Sequence, residues 1–113
     1  MKYALLICTD EVAYEALSPA EAAASYAAYE TFMQNVGSKL LGGERLRPTT
    51  EATCVRVVDG KVTTTDGPFA ETKEQLGGFY LLEAANLDEA IEIAAQIPAA
   101  KHGTIEVRPV WEM

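Results

Sequence analysis

Two strand-like segments of the chain are apolar at consecutive positions, and this pattern constrains the fold more than any other feature. The segments span residues 2–9 and 79–84. Successive side chains of a β-strand point to opposite faces of its sheet, so both faces of these strands are apolar. Such strands lie in the centre of a sheet and are covered on both sides. The fold must therefore supply apolar cover above and below one sheet.

Helical periodicity predicts two helices. Ser18 can cap the first helix, Pro19 suits its first position, and Glu21 can accept a hydrogen bond from the Ser18 N–H. This helix is predicted over residues 18–36, where Gly37 ends it. Asn86 caps a second helix, which continues as far as Pro98.

Further strands complete the pattern. Residues 39–46 read as a strand in which Gly42-Gly43 indicates a bulge or a close backbone approach. Asp59-Gly60 predicts a tight hairpin turn between strands at 53–58 and 61–65. Residues 104–111 form the last predicted strand.

The order of these elements predicts a ferredoxin-like α+β fold, βαββαβ, with an extra hairpin strand, in a single domain over residues 1–113. Two helices can cover only one face of its sheet. Because the strands at 2–9 and 79–84 are apolar on both faces, we expect a second copy to cover the other face. The prediction is a homodimer whose two sheets face each other across a cavity.

Composition excludes several classes of function. Seventeen acidic residues against nine basic residues give a formal net charge of −8, which disfavours nucleic-acid binding. No apolar run approaches the roughly 18 residues of a membrane span. Cys8 and Cys54 lie in apolar contexts typical of reduced thiols in a cytoplasmic protein, although their spacing leaves a single disulfide open. Because His102 is the only histidine, no zinc site is expected, and no other metal or cofactor is predicted.

Residues 65–74, with the sequence TDGPFAETKE, form the most distinctive polar segment. Gly67-Pro68 interrupts regular structure, so a loop is expected after Asp66, with Phe69 as a core anchor and a helical turn over residues 71–76. Asp66 has two readings. It is either a general base or hydrogen-bond acceptor for a ligand, or a cap for the N–H groups of the turn that follows it.

Five other side chains are candidates for the cavity between the sheets. Glu106 and Arg108 share a strand face, so they are either an acid or base beside a carboxylate clamp, or a structural ion pair. Arg45 faces either the cavity or solvent at its rim. Tyr3 and Tyr80 either present hydroxyl groups to the cavity or pack in its wall.

The chain resembles the DGPF branch of the YCII-related domain family at residues 65–74 and at their continuation, Leu76-Gly77-Gly78-Phe79-Tyr80. Gly42-Gly43-Glu44-Arg45-Leu46 and Val107-Arg108-Pro109 also match. The resemblance implies a dimeric α+β barrel. Most proteins of this branch have no assigned activity, and some are encoded near, or fused to, alternative sigma factors. The His–Asp pair proposed for YCII-type enzymes does not carry over, because no histidine lies between Ser18 and Val36.

These observations favour a homodimeric barrel that binds a small polar or anionic ligand through Asp66, Arg108 and Glu106. An acid/base enzyme of the lyase or isomerase kind is the alternative, acting on a small anionic or cyclic substrate. In that case Asp66 or Glu106 moves the proton and Arg108 holds a substrate carboxylate. An interaction module that serves a sigma factor is the third possibility.

Overall fold

A computed structural model describes residues 1–112 of the chain. It contains six strands and three α-helices, joined by short loops and 3₁₀ turns. In chain order these are β1 (Lys2–Thr9), α1 (Glu11–Glu15), α2 (Pro19–Val36), β2 (Leu40–Arg45), β3 (Thr53–Val58), β4 (Lys61–Asp66), β5 (Gln75–Glu83), α3 (Leu87–Ala94) and β6 (Thr104–Pro109).

The main sheet has four antiparallel strands in the order β2-β5-β1-β6. Apart from the short α1 and the β3–β4 hairpin, the elements follow the βαββαβ order with α2 and α3 as crossovers. The fold is therefore ferredoxin-like α+β, which confirms the expectation from the sequence. None of the helices within residues 1–112 is long and apolar enough to cross a membrane.

The hydrophobic core lies between the sheet and its helices. Leu5 of β1 and Leu82 of β5 are both 0% exposed. Phe32 of α2, with Ala90 and Ile93 of α3, closes this core from the helical side. Because α2 and α3 pack on one face, neither of these two helices covers the opposite face of the sheet.

The start of α2 is fixed by the predicted capping box. The Glu21 N–H donates to Ser18 Oγ at 3.1 Å, and the Ser18 N–H donates to Glu21 Oε1 at 3.0 Å. The bond from the Ser18 N–H lowers the pKa of the Glu21 carboxyl. The additional helix α1 was not predicted; Asp10 caps it by accepting from the Val12 N–H at 3.0 Å.

Paired glycines bring β2 and β5 close together. The register between them shifts between Leu40 and Gly42, which is the predicted irregularity. A Cβ atom on Gly43 would lie only 2.5 Å from the Phe79 carbonyl oxygen, and one on Gly78 would lie 2.9 Å from the Glu44 carbonyl oxygen. The glycines therefore permit a backbone approach that no side chain at these positions would allow.

The predicted helical turn over residues 71–76 is wrong, because β5 already begins at Gln75. Gln75 pairs with Thr9 and Gly78 pairs with Ile7, so strand pairing extends through the segment. Gly77 and Gly78 continue the strand rather than ending a turn. Glycine does not end a structural element here, because its small size allows the neighbouring strands to approach closely.

The hairpin of β3 and β4 forms its own two-stranded sheet instead of joining the main sheet. It turns at Asp59-Gly60 as predicted, with positive φ values of 50° and 77°. All side chains of β4 are exposed, and in β3 only Cys54 is partly buried. The hairpin therefore packs little against the rest of the chain.

Candidate functional site

The sheet face opposite α2 and α3 is a candidate surface, and we call it the open sheet face. In β1, Leu6 alternates with the buried Leu5 and Ile7, and in the pairing with β5 it lies opposite Phe79. Directly opposed residues share a face of the sheet. The same pairing rule assigns to the open sheet face Ala4, Leu6, Cys8, Phe79, Leu81, Glu106 and Arg108.

Glu106 and Arg108 form an ion pair on this face. Arg108 Nη2 lies 2.6 Å from Glu106 Oε2, and the two side chains are 48% exposed for Glu106 and 68% exposed for Arg108. An exposed pair adds at most about 1 kcal/mol to stability, so its charges are not needed for folding. Leu6 lies opposite Glu106, and Ala4 lies opposite Arg108. The open sheet face thus combines an apolar centre with an acid and a base along one edge.

Cys8 occupies the same face between acidic side chains. Burial raises the pKa of the Cys8 thiol, and the nearby Glu106 and Glu74 carboxylates raise it further. Both Cys8 and Cys54 are free thiols, so the structure contains no disulfide between them.

Tyr3 and Tyr80 lie on the helix-covered face, not on the open sheet face. Tyr3 is 2% exposed, and the Tyr80 ring packs on Phe32 with 5.3 Å between ring centroids. Burial raises the pKa of Tyr80. The alternation along each strand fixes which side chains share a face, and here the tyrosines share theirs with the core. The tyrosine hydroxyl groups therefore do not face the predicted cavity. Both rings pack against the core instead.

Arg45 also lies on the helical side, contrary to the cavity-facing interpretation. Its Nη1 donates to the Tyr26 hydroxyl at 2.7 Å, and its guanidinium lies 5.7 Å from the centre of the Tyr26 ring. Tyr26 belongs to α2, so this contact ties the end of β2 to the helix.

Asp66 ends β4 and is exposed. The turn after it is held by other groups: the Gly67 N–H donates to the Ala52 carbonyl at 2.8 Å, and the Cys54 thiol donates to the Gly67 carbonyl at 3.2 Å. Asp66 lies in the hairpin sheet, whereas Glu106 and Arg108 lie in the main sheet. Within a single chain, Asp66 therefore does not share a sheet with Glu106 and Arg108, the two residues with which it was expected to bind a ligand.

Phe69 is not a core anchor. Its side chain is 82% exposed, and the Arg56 guanidinium lies 5.7 Å from its ring centre. His102 is exposed, with its ring centroid 6.3 Å from that of Tyr14.

A groove between the end of β1 and the motif loop, residues 67–74, was not anticipated. It is open and encloses about 390 Å³. The Thr49 N–H donates to Glu11 Oε1 at 2.8 Å, and the Thr49 hydroxyl donates to Glu11 Oε2 at 2.6 Å. These two residues are 38 positions apart in the chain, so no local pattern indicated their contact. The lining consists of Asp10, Glu11, Val12, Thr49, Thr50, Gly67, Pro68, Glu71, Thr72, Lys73 and Gln75.

Replacing Glu11 by alanine is expected to loosen this groove. The substitution removes both bonds to Thr49, so the Thr49 amide should exchange its hydrogen with solvent roughly tenfold faster. Hydrogen–deuterium exchange followed by NMR measures this rate. Glu15→Ala is the matched control, because Glu15 lies in the same helix and is exposed. Equal Thr49 exchange in the two variants would contradict the anchoring role of Glu11.

Among residues 1–112, no three His, Cys, Asp or Glu side chains cluster in a way that could hold a metal ion. The candidate site therefore offers two sets of polar groups, the ion pair of Glu106 and Arg108 and the polar lining of the groove.

Comparison with known proteins agrees with this architecture. An uncharacterised protein of Rhizobium meliloti (strain 1021) is 52% identical to the chain over 68 residues, which cover 58% of this chain and 55% of the relative. The match thus spans only about half the length of that curated relative. The family model described as the YCII-related domain matches residues 1–113, and the chain therefore belongs to the YCII-related domain family.

Proposed function

We propose that the protein is a cytoplasmic homodimeric α+β barrel that binds a small polar or anionic molecule between its two sheets. One observation carries the proposal: the open sheet face is apolar at Leu6, Phe79 and Leu81, although neither α2 nor α3 covers it. Apolar surface of this kind is stabilised by exclusion of water, and a second copy offers an identical face.

The charged edge of the same face supports the choice of ligand. Arg108 is paired only with its strand neighbour Glu106 within residues 1–112, and much of its guanidinium remains exposed. A guanidinium can bind a carboxylate or phosphate through two parallel hydrogen bonds. When two open sheet faces meet, each Arg108 lies at the boundary of an apolar, water-poor space. Its attraction for an anion is stronger there than in open solvent.

Placing an acid in the centre of the open sheet face is expected to separate the dimer. Leu81→Asp introduces one carboxylate per chain, and both carboxylates would be buried in the dimer without partners. We expect wild type to sediment as a dimer at micromolar concentration and Leu81→Asp to sediment as a folded monomer in analytical ultracentrifugation. Leu87→Asp is the control, since Leu87 is a half-exposed residue in the first turn of α3. The proposed dimeric barrel would be contradicted if the wild type were a monomer, or if both Leu81→Asp and Leu87→Asp remained dimers.

Arg108→Ala is expected to weaken binding of anions by roughly tenfold, because a charge-assisted hydrogen bond is lost. Isothermal titration with benzoate and with inorganic phosphate tests this. Arg47→Ala is a suitable control, because Arg47 pairs with Glu51 outside the sheet. Identical affinities in wild type and Arg108→Ala would contradict a role for Arg108 in ligand binding.

A further inference from the structure

The hairpin of β3 and β4 carries an apolar surface that no other part of residues 1–112 covers. Val57 pairs with Val62, and Val55 pairs with Thr64, so the three valines share one face of the hairpin. Val55 is 62% exposed, Val57 is 67% exposed and Val62 is 69% exposed. We call these three side chains the valine face.

An isolated two-stranded hairpin is at best marginally stable in water, because one ladder of hydrogen bonds barely offsets the entropy of ordering it. Stable hairpins pack a face against a third strand or a helix. This hairpin forms a sheet of two strands only. The valine face is therefore a surface that contact with another apolar surface would stabilise.

The exposed side chains of the hairpin and the extended shape of the chain together indicate that the hairpin extends outwards. The radius of gyration is 16.0 Å, whereas a compact domain of this length has a radius of gyration of about 13 Å. The molecule measures 48 × 43 × 19 Å, so it is flat and broad. An element that projects in this way can reach a neighbouring molecule.

Charge favours a second copy of this chain as that neighbour. Within residues 53–66 the basic Arg56 and Lys61 balance the acidic Asp59 and Asp66, so the hairpin has a net charge of 0. The whole chain has a net charge of −8, and all of it resides outside the hairpin. Two copies repel each other through their acidic bodies, and that repulsion is weakest where the hairpin makes the contact.

The area needed for a stable dimer points to the same partner. A specific interface buries about 800 Å² on each partner. The apolar members of the open sheet face are already partly buried by their neighbours, so that face alone offers limited new burial. The valine face adds three largely exposed side chains per chain to the surface that association can remove from water.

We propose that the β3–β4 hairpin is an arm whose valine face packs against a second copy of the chain and stabilises the homodimer. This inference rests on the proposed function, because it requires the dimer formed through the open sheet face. The proposed role of the hairpin, which is not part of the βαββαβ core, is to stabilise the dimer.

The triple variant Val55→Thr/Val57→Thr/Val62→Thr tests the proposal. Threonine keeps the branched shape and the strand preference of valine but makes the surface polar. The dimer dissociation constant, measured by sedimentation equilibrium, is expected to rise by roughly a hundredfold or more, since six valines lose their burial in each dimer. Circular dichroism should show the same fold. Val58→Thr is the control, because Val58 lies on the opposite face of the hairpin, paired with Lys61.

Leu81→Asp separates the two hypotheses. If Leu81→Asp dissociates the dimer and the triple valine variant keeps the wild-type dissociation constant, the arm proposal is overturned and the sheet-to-sheet dimer stands. An equal rise of the dissociation constant in Val58→Thr and in the triple variant would also overturn the arm proposal, since the effect would then not be specific to the valine face. A wild-type protein that is monomeric would overturn both.

Discussion

Gly43→Ala is expected to lower the free energy of unfolding by about 2 to 3 kcal/mol, the cost of forcing extra volume into a packed site. A Cβ atom at this position would lie 2.5 Å from the Phe79 carbonyl oxygen and 2.6 Å from Tyr80 Cδ1. The first of these atoms belongs to the backbone of β5, so a side-chain rotation cannot relieve the clash. The strands β2 and β5 would have to separate, with loss of ladder hydrogen bonds.

Gly42→Ala is the matched control, because nothing lies within 4 Å of a Cβ atom at Gly42. In an ordinary strand, glycine to alanine stabilises by roughly 0.5 to 1 kcal/mol, since alanine loses less backbone freedom on folding. Urea denaturation monitored by circular dichroism should therefore shift in opposite directions for the two neighbours. A Gly43→Ala protein as stable as wild type would show that the approach of β2 to β5 is less close than described.

Leu82→Ala is expected to cost about 2 to 5 kcal/mol of unfolding free energy. Leu82 is 0% exposed and pairs with Tyr3 across the centre of the helix-covered face. The substitution removes apolar contacts and leaves a cavity that the surrounding strands and helices can only partly fill. Thermal unfolding and urea denaturation, both at one protein concentration, measure the loss.

The neighbouring Leu81→Ala provides the comparison. Leu81 is only partly buried in the single chain and belongs to the open sheet face. Its truncation should cost the monomer less stability than Leu82→Ala does, and it should lower the melting temperature most at protein concentrations at which the wild type is dimeric. Equal stability losses at Leu81 and Leu82, independent of protein concentration, would contradict the assignment of the two leucines to opposite faces.

Much of the fold follows from local signals in the sequence. The capping box at Ser18 and Glu21 fixed the start of α2, and Asp59-Gly60 fixed the hairpin turn. Both signals depend on interactions between residues at most three positions apart, so they can be recognised without knowledge of the tertiary structure. The start of β5 was missed because Gly77 and Gly78 break regular structure in isolation. Only the neighbouring strands show that their small size is required for pairing.

The site was less predictable because it depends on which face the helices cover. Strand alternation predicted that Glu106 and Arg108 share one face of the sheet, and the strand pairing shows that they do. Alternation alone does not tell whether Tyr3 and Tyr80 share that face or the helix-covered face; in the structure Tyr3 belongs to the core and Tyr80 packs against it. The contact between Glu11 and Thr49 arises only when distant segments fold together.

The order β2-β5-β1-β6 leaves two strands at the borders of the main sheet, each with unpaired backbone groups on its outer side. Each border strand is only six residues long, and Pro109 at the end of β6 has no N–H to donate to an added strand. Such borders resist the lateral strand addition that leads to fibres. Growth of the sheet sideways is thereby disfavoured, which favours the proposed contact through stacked sheets over the addition of strands at a border.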